Sequence, residues 1–499
     1  MKKTLFIKNA LVLTVTGLIL RLLGIIFKVW LAKRVGSEGI GLYHLVFSVY
    51  TFASTFASSG ITIAVTRLAS AELVGGSNEG LFKMLRRALC ITLFIALISF
   101  CIILFGNGFI AERFINDRRS AAALSILAFS LPFMGVSAVL KGYFTARRKV
   151  SVNSAAVLLE QLVRITLCLY FVDKFAQKGI GAAVAGVILG DTLAEAASCV
   201  FSLIFFKADV KKVKAQGGSA AFKGTGELLR IAAPLTAGRY GTTLLRTVEN
   251  LIMPKALSRA GGHFARSLSI FGALKGMALP VLFFPSSLLG AFSALLIPEM
   301  SEALACNRRL SIRRNVERTL RLTLFMGLIF SGVFFFAGPR IGLLIYSDSD
   351  SGGIIKALAP LVPLFYLDSI SDGILKGLDQ QIFTFRNAII DSALRIVLIL
   401  IVVPRAGIEG FIYIMYLSNL LTCSLNVGRL IKITGARVRV AVEIIIPTAA
   451  AIGICAVLYR LLSKISADLL FVSAYSVLSV ILFVGFMVMF KIVDVREYV

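Results

Sequence analysis

Long, unbroken apolar runs alternate with short basic stretches along almost the whole of this 499-residue chain. A helix that crosses a bilayer needs about 20 mostly apolar residues. The pattern predicts fourteen of them, over 5–31, 40–66, 88–106, 121–143, 152–172, 180–206, 228–253, 268–297, 320–337, 355–377, 385–403, 408–428, 441–459 and 467–490. The runs are continuous rather than alternating, which excludes a strand barrel. An all-α polytopic membrane protein is the expected fold class.

Composition agrees with the pattern. Hydrophobic residues make up 58% of the chain and charged residues 16%, against roughly 25% charged in soluble domains. The net charge of +27 would suggest nucleic acid in a soluble protein, but here the basic residues sit in short loops. With residues near span ends assigned to the nearer side, the even-numbered loops and both termini hold 31 Lys and Arg, the odd-numbered loops 15, and the spans seven. Cytoplasmic loops concentrate Lys and Arg, so both termini are expected in the cytoplasm, with no nucleic-acid partner. Met1-Lys2-Lys3 leads into an apolar run without a small-residue cleavage site, and is expected to begin a retained first span. The seven cysteines show no CxxC and no ligand spacing, and the only histidines are His44 and His263. No metal site, no cofactor and no His proton relay are expected.

An internal repeat organises the spans. Arg87–Ile98 at the third span and Arg318–Ile329 at the ninth share seven of twelve residues, 231 positions apart. The same offset carries Glu160 and Arg164 onto Asp391 and Arg395. Leu140-Lys141-Gly142 meets Leu375-Lys376-Gly377 at 235, and Gly179-Ile180 meets Gly407-Ile408 at 228. Six spans repeated in one orientation predict two parallel lobes related by an axis along the membrane normal, with the substrate site between them. The expected division is a lobe over 1–206, a cytoplasmic linker over 207–227, a second lobe over 228–432, and two additional spans over 433–499.

Several local motifs resemble a known family. Arg21-Leu-Leu-Gly24, Lys28, Ala32-Lys-Arg-Val-Gly36, Glu38-Gly39 and Gly41-Leu-Tyr43 are similar to the start of the oligosaccharide and lipid-precursor flippases. Gly60-Ile-Thr-Ile-Ala64 and Glu160-Gln-Leu-Val-Arg164 fit the same pattern. The chain resembles most the stage V sporulation protein B branch, related to the lipid II flippases, of the multidrug/oligosaccharidyl-lipid/polysaccharide exporter superfamily. The resemblance implies two six-helix lobes and alternating-access export of an undecaprenyl-pyrophosphate-linked glycan across the plasma membrane. Lipid II flippases of the other branch place an additional Arg where this chain has Phe27, with Lys28 beside it, and an Arg in the second span where this chain has Ser54.

Charges at membrane depth usually face a cavity or one another. The cations within the spans are Arg21, Lys28, Arg164, Arg239, Arg246, Lys275 and Arg395. Glu160–Arg164 and Asp391–Arg395 are i,i+4 pairs, expected to neutralise one another structurally. Arg21 and Lys28 lie seven residues apart on one helix face with no acid in that span. Arg239 and Arg246 repeat the spacing, mapping to Arg21 and Lys28 at an offset of 218. These four are expected to line a cleft and hold the pyrophosphate, which Arg recognises bidentately; the alternative is that they snorkel to the interfaces or pair with acids such as Glu249. Asp191 with Glu195, and Asp368 with Asp372, form like-charge i,i+4 pairs in spans six and ten, open to Na+ or H+ coupling or to pairing with the cations. Pro234, Pro280 and Pro285 are candidate bends, Trp30 an interfacial anchor, and Gly75-Gly76 and Gly352-Gly353 turns. Spans thirteen and fourteen are expected outside the repeat, bordering a groove for the polyprenyl tail. A cation-coupled drug antiporter, a membrane glycosyltransferase and an inactive transporter-like scaffold are the competing functions. No loop is long enough for a catalytic domain, so an enzyme is not expected. The expected partners are the lipid-linked glycan and membrane lipids, with the chain acting as a monomer.

Overall fold

The computed structural model describes residues 2–58, 60–75, 78–211, 224–286, 289, 299–306, 308–437 and 439–490. Apart from loops, the described residues are helical, with no strand among them. In chain order the helices are α1 (Lys2–Ser58), α2 (Ile61–Gly75), α3 (Asn78–Phe109), α4 (Ser120–Ala128), α5 (Ser130–Ala146), α6 (Val150–Phe175), α7 (Ile180–Val210) and α8 (Thr225–Arg259). They continue with α9 (Phe264–Gly272), α10 (Leu279–Phe283), α11 (Arg309–Tyr346), α12 (Ser349–Leu358), α13 (Val362–Gly377), α14 (Gln381–Thr434), α15 (Ile446–Leu462) and α16 (Asp468–Met489).

Among the described residues, eleven stretches are long and apolar enough to cross a membrane. Two of them break at a glycine with non-helical geometry, Gly36 (φ 75°) in α1 and Gly407 (φ 59°) in α14. Each therefore holds two segments, as the predicted ends near 31 and 403 require. Helix α8 is as long as a span, at 35 residues, but falls outside the eleven. Its cations and hydroxyls lower its hydropathy. The fourteen-span pattern is broadly consistent with this architecture, although hydropathy alone does not fix the count.

The backbone carries the repeat more sharply than the side chains do. Non-glycine residues adopt positive φ at Asn116 (64°) and Ser347 (56°), and at Arg148 (58°) and Asp379 (60°), both pairs 231 positions apart. Gly179 (104°) and Gly407 (59°) keep their offset of 228, and Gly36 (75°) and Gly261 (103°) add a fourth pair at 225. Left-handed residues end helices, so they mark equivalent turns. This register corrects two sequence alignments. The Leu-Lys-Gly match at 235 is one helical turn out, and Lys141 aligns in the repeat with Asp372 rather than Lys376. The 218 offset is two turns out, so Arg246 aligns in the repeat with Arg21, each fifteen residues before its glycine.

Packing divides the chain into two compact units, 1–255 and 256–499. Most of α8 therefore packs with the first unit, whereas the repeat begins the second lobe there. In the first unit Leu228 and Ala232 of α8 join a core with Ile61, Val65, Met84 and Tyr143. Thr62 Oγ1 donates to Ala138 O (3.0 Å) and Thr66 Oγ1 to Gly142 O (3.2 Å), binding α2 to α5. A Cβ on Gly142 would fall 2.8 Å from Thr62 O and 2.9 Å from Val65 Cβ, so this crossing requires glycine. In the second unit α15 and α16 pack on α11. Arg321 pairs with Glu443 (3.1 Å), while Arg340 donates to Ile465 O and Ser463 O (3.0 Å each) and stacks on Phe471. Gly352-Gly353 is not a turn: both residues lie inside α12. Gly352 packs against the backbone of Pro339 and against Gly342 in α11, an approach that a Cβ on either glycine would block. Gly76, Pro285's following residues 287–288 and the linker core 212–223 lie outside the described residues.

Candidate functional site

The first unit holds an open cavity of about 390 Å³. Its walls come from α1 (Ser54, Ser58), the first turn of α2 (Thr62), α5 (Lys141) and α8 (Arg239, Thr242). Among the described residues two cations line it and no carboxylate does. Helix α8 is held against α1 by Thr247 Oγ1 donating to Ser48 O (3.2 Å), by Asn250 Nδ2 donating to Ser48 Oγ (3.0 Å), and by Tyr240 against Phe52 (ring centroids 4.6 Å). Beside the cavity the chain breaks between α1 and α2 at Gly60 (φ 32°). A Cβ there would lie 2.3 Å from Ala232 O and 2.6 Å from Thr236 Oγ1. Pro234, inside α8, sits between those two contacts and removes a backbone donor. Two interrupted helices therefore meet at the cavity, as backbone irregularity at membrane depth requires a polar or buried setting.

The hydroxyls and the cations do different jobs. Ser54 Oγ donates to Thr51 O (3.1 Å), Ser58 Oγ to Ser54 O (2.8 Å) and Thr242 Oγ1 to Arg239 O (2.9 Å). Their protons are committed to the backbone, and their lone pairs remain to accept from a guest's hydroxyls. Charge-assisted donation to an anion falls to Lys141 and Arg239, with the Thr243 hydroxyl also in the wall. Of the four cations expected in one cleft, the cavity takes only Arg239. Lys28 and Arg246 are exposed and do not line it, and the Arg21 side chain lies outside the described residues. Lys141 escaped the sequence reading because it lies at a predicted span end and was counted with the cytoplasmic loop. Its repeat counterpart, Asp372, is the signal that a charge at this depth of the helix was no loop residue.

A second cluster lies among α1, α6 and α7. Arg164 binds Glu160 (2.7 Å) and also Asp191 (2.8 Å), and Tyr43 O–H donates to the other Asp191 oxygen (3.3 Å). The Glu160–Arg164 pair thus forms as expected and gains a third member. The like-charge Asp191–Glu195 pair is split, since Asp191 is drawn to Arg164. Glu195 is 7% exposed, and its Oε1 has no hydrogen-bond partner among the described residues. In the second unit Asp391 and Arg395 stand 3.9 Å apart, with Ser418 donating to Asp391. Asn426 bridges Asn387 (3.1 Å) and Asp368 (2.8 Å), and Asp372 pairs with Lys376. Glu249 is buried on α8. Where the first unit's loops meet, Arg119 binds Asp117 (2.7 Å) and Glu38 (2.6 Å), and Arg34 binds Asp173 (2.6 Å). The Asp117 carboxylate, with help from Glu38, holds the Arg119 guanidinium above its ordinary range. Among the described residues no group of three His, Cys, Asp or Glu has metal-site geometry.

Comparison with known proteins places this architecture. Residues 6–304 match the family model described as "Polysaccharide biosynthesis protein". Stage V sporulation protein B of Bacillus subtilis is 25% identical over 446 residues, covering 88% of this chain and 86% of that protein. Lipid II flippase MurJ of the same organism is 22% identical over 441 residues, covering 83% and 81%. Among solved structures, a lipid II flippase MurJ in an inward closed conformation superposes with a TM-score of 0.74 at 15% identity, over 95% of this chain and 98% of that one. An inward-facing multidrug resistance MATE family transporter of the MOP superfamily gives 0.65 at 13% identity, over 85% and 98%. The fold is that of these transporters.

Proposed function

The chain belongs to the polysaccharide biosynthesis protein family, and from that premise we propose that it is a flippase rather than an enzyme. By alternating access it carries an undecaprenyl-pyrophosphate-linked glycan precursor, a lipid II or polysaccharide unit, from the inner to the outer leaflet of the bacterial plasma membrane. The observation that carries this reading is the acid-free cavity with Lys141 and Arg239 in its wall. Keeping an isolated Arg at the bilayer centre costs about 2.5–3.5 kcal/mol on insertion scales, which a wet cavity and an anionic guest offset. A pyrophosphate offers acceptors to both cations, and a glycan offers hydroxyls to the lone pairs of Ser54, Ser58 and Thr62. A drug antiporter selecting cations would want carboxylates in the same wall. The names of the relatives, a lipid II flippase among them, support the substrate class. Depleting the protein in its host should raise lipid-linked precursor in the inner leaflet, read by leaflet-selective labelling; unchanged leaflet distribution would sink the proposal.

Orientation belongs to the same proposal: both termini and the linker 207–227 face the cytoplasm, supported by the 31 to 15 excess of Lys and Arg. A cysteine introduced in that linker should resist an impermeant thiol reagent in intact cells. Labelling from outside would reverse the topology.

A further inference from the structure

Behind the cavity wall, the first unit holds more buried acid than committed cation. Glu160 and Asp191 share one guanidinium, Arg164. Glu195, one helical turn beyond Asp191, is buried with Oε1 unpartnered among the described residues. The groups facing it are Lys141 and the Ser137 hydroxyl from α5, Glu160 and Arg164 from α6, Tyr50 from α1, and Cys199 from its own helix. Helix α4, which also packs on α7, contributes no titratable side chain. Three carboxylates therefore face two cations, and Arg164 is already shared. Lys141 is the cation left to balance Glu195, and Lys141 is also in the cavity wall.

We infer that Lys141 links the cavity to Glu195: when an anionic group in the cavity engages Lys141, Glu195 takes up one proton. A buried carboxylate whose compensating cation turns to another anion is costly in a low-dielectric setting. Binding a proton from solvent neutralises it, forming the O–H bond of the carboxylic acid without any covalent change in the guest. The anion is thereby seated with one proton, and the unit's net charge becomes more negative by one unit less than the guest's own charge. This rests on the anion-binding cavity proposed above, and deepens it by naming what the anion does to the protein.

The test uses the full-length purified protein and inorganic pyrophosphate as the probe. Its affinity is measured between pH 6 and pH 8.5 for the wild type and Glu195→Gln, with proton uptake read by calorimetry in buffers of different ionisation heat. Pyrophosphate's own ionisation is common to both proteins and cancels in their ratio. A one-proton linkage weakens wild-type binding by about tenfold per pH unit relative to the variant once the carboxylate is ionised in the free protein. Glu195→Gln, fixed as the neutral form, should therefore bind more tightly than the wild type at pH 8, with the advantage vanishing at low pH. The wild type should take up about one proton more than Glu195→Gln. Lys141→Ala provides the independent arm: it should bind weakly and show the same proton count as Glu195→Gln. Parallel pH profiles for the wild type and Glu195→Gln would overturn the inference while leaving the cavity reading intact. A folded wild type that binds no pyrophosphate overturns the cavity reading, and this inference with it.

Discussion

Arg239→Ala should abolish complementation of a flippase-deficient strain at unchanged expression and membrane insertion. Arg239 and Lys141 are the two charged donors that the cavity offers to an anion, since the Ser54, Ser58 and Thr242 hydroxyls already donate to the backbone. A hydrogen bond to a charged group contributes about 1.5–3 kcal/mol, equivalent to roughly 10- to 150-fold in affinity. Arg239→Lys should recover part of the activity, because a point charge does not reproduce the planar fork. Lys141→Ala should approach the severity of Arg239→Ala. Lys28→Ala should cost little, since Lys28 does not line the cavity. The comparison is internal to one assay. If Lys28→Ala is as damaging as Arg239→Ala, the anion is held in a different place from the one proposed.

Arg164→Leu should have the largest effect on stability. The substitution leaves Glu160 and Asp191, both mostly buried, without the guanidinium that holds them at 2.7 and 2.8 Å. Breaking a buried ion pair from one side costs about 3–5 kcal/mol, enough to unfold a marginally stable unit. The expected readout is a large drop in the melting temperature of the detergent-solubilised protein, or loss of folded material. Neutralising the partners as well, as Glu160→Gln/Arg164→Leu/Asp191→Asn, should recover most of the loss, because the stranded charges are gone. A single Arg164→Leu variant that melts with the wild type would show that water or another cation serves both carboxylates.

Much of this was legible in the chain. The spans follow from the length of apolar runs, which a bilayer imposes on any helix within it. The repeat was visible as a shared segment at offset 231, and the left-handed residues at Asn116 and Ser347 carry the same offset in the backbone. The Glu160–Arg164 contact was fixed by i,i+4 spacing on one helix, a purely local relation. Register was less secure. Short apolar motifs recur by chance one or two turns out, so Leu-Lys-Gly and the Arg–Arg spacing misaligned, whereas a positive φ marks one place in a turn.

What the sequence could not decide was which charges meet. Arg164 reaches Asp191 across from another helix, a relation 27 residues distant that no helical period encodes. Lys141 sits at a span end in one dimension and in a cavity wall in three, because α5 crosses α2 closely at Gly142, a contact that only a glycine without a Cβ permits. Helix α8 reads as the first span of the second repeat, yet most of it packs with the first unit, through Leu228, Ala232 and its hydrogen bonds to Ser48. Sequence thus determined the membrane class, the repeat and the residues rich enough in charge to matter. Tertiary packing alone decided which of them share a site, since electrostatic partners are chosen by distance in space and by the desolvation each burial imposes.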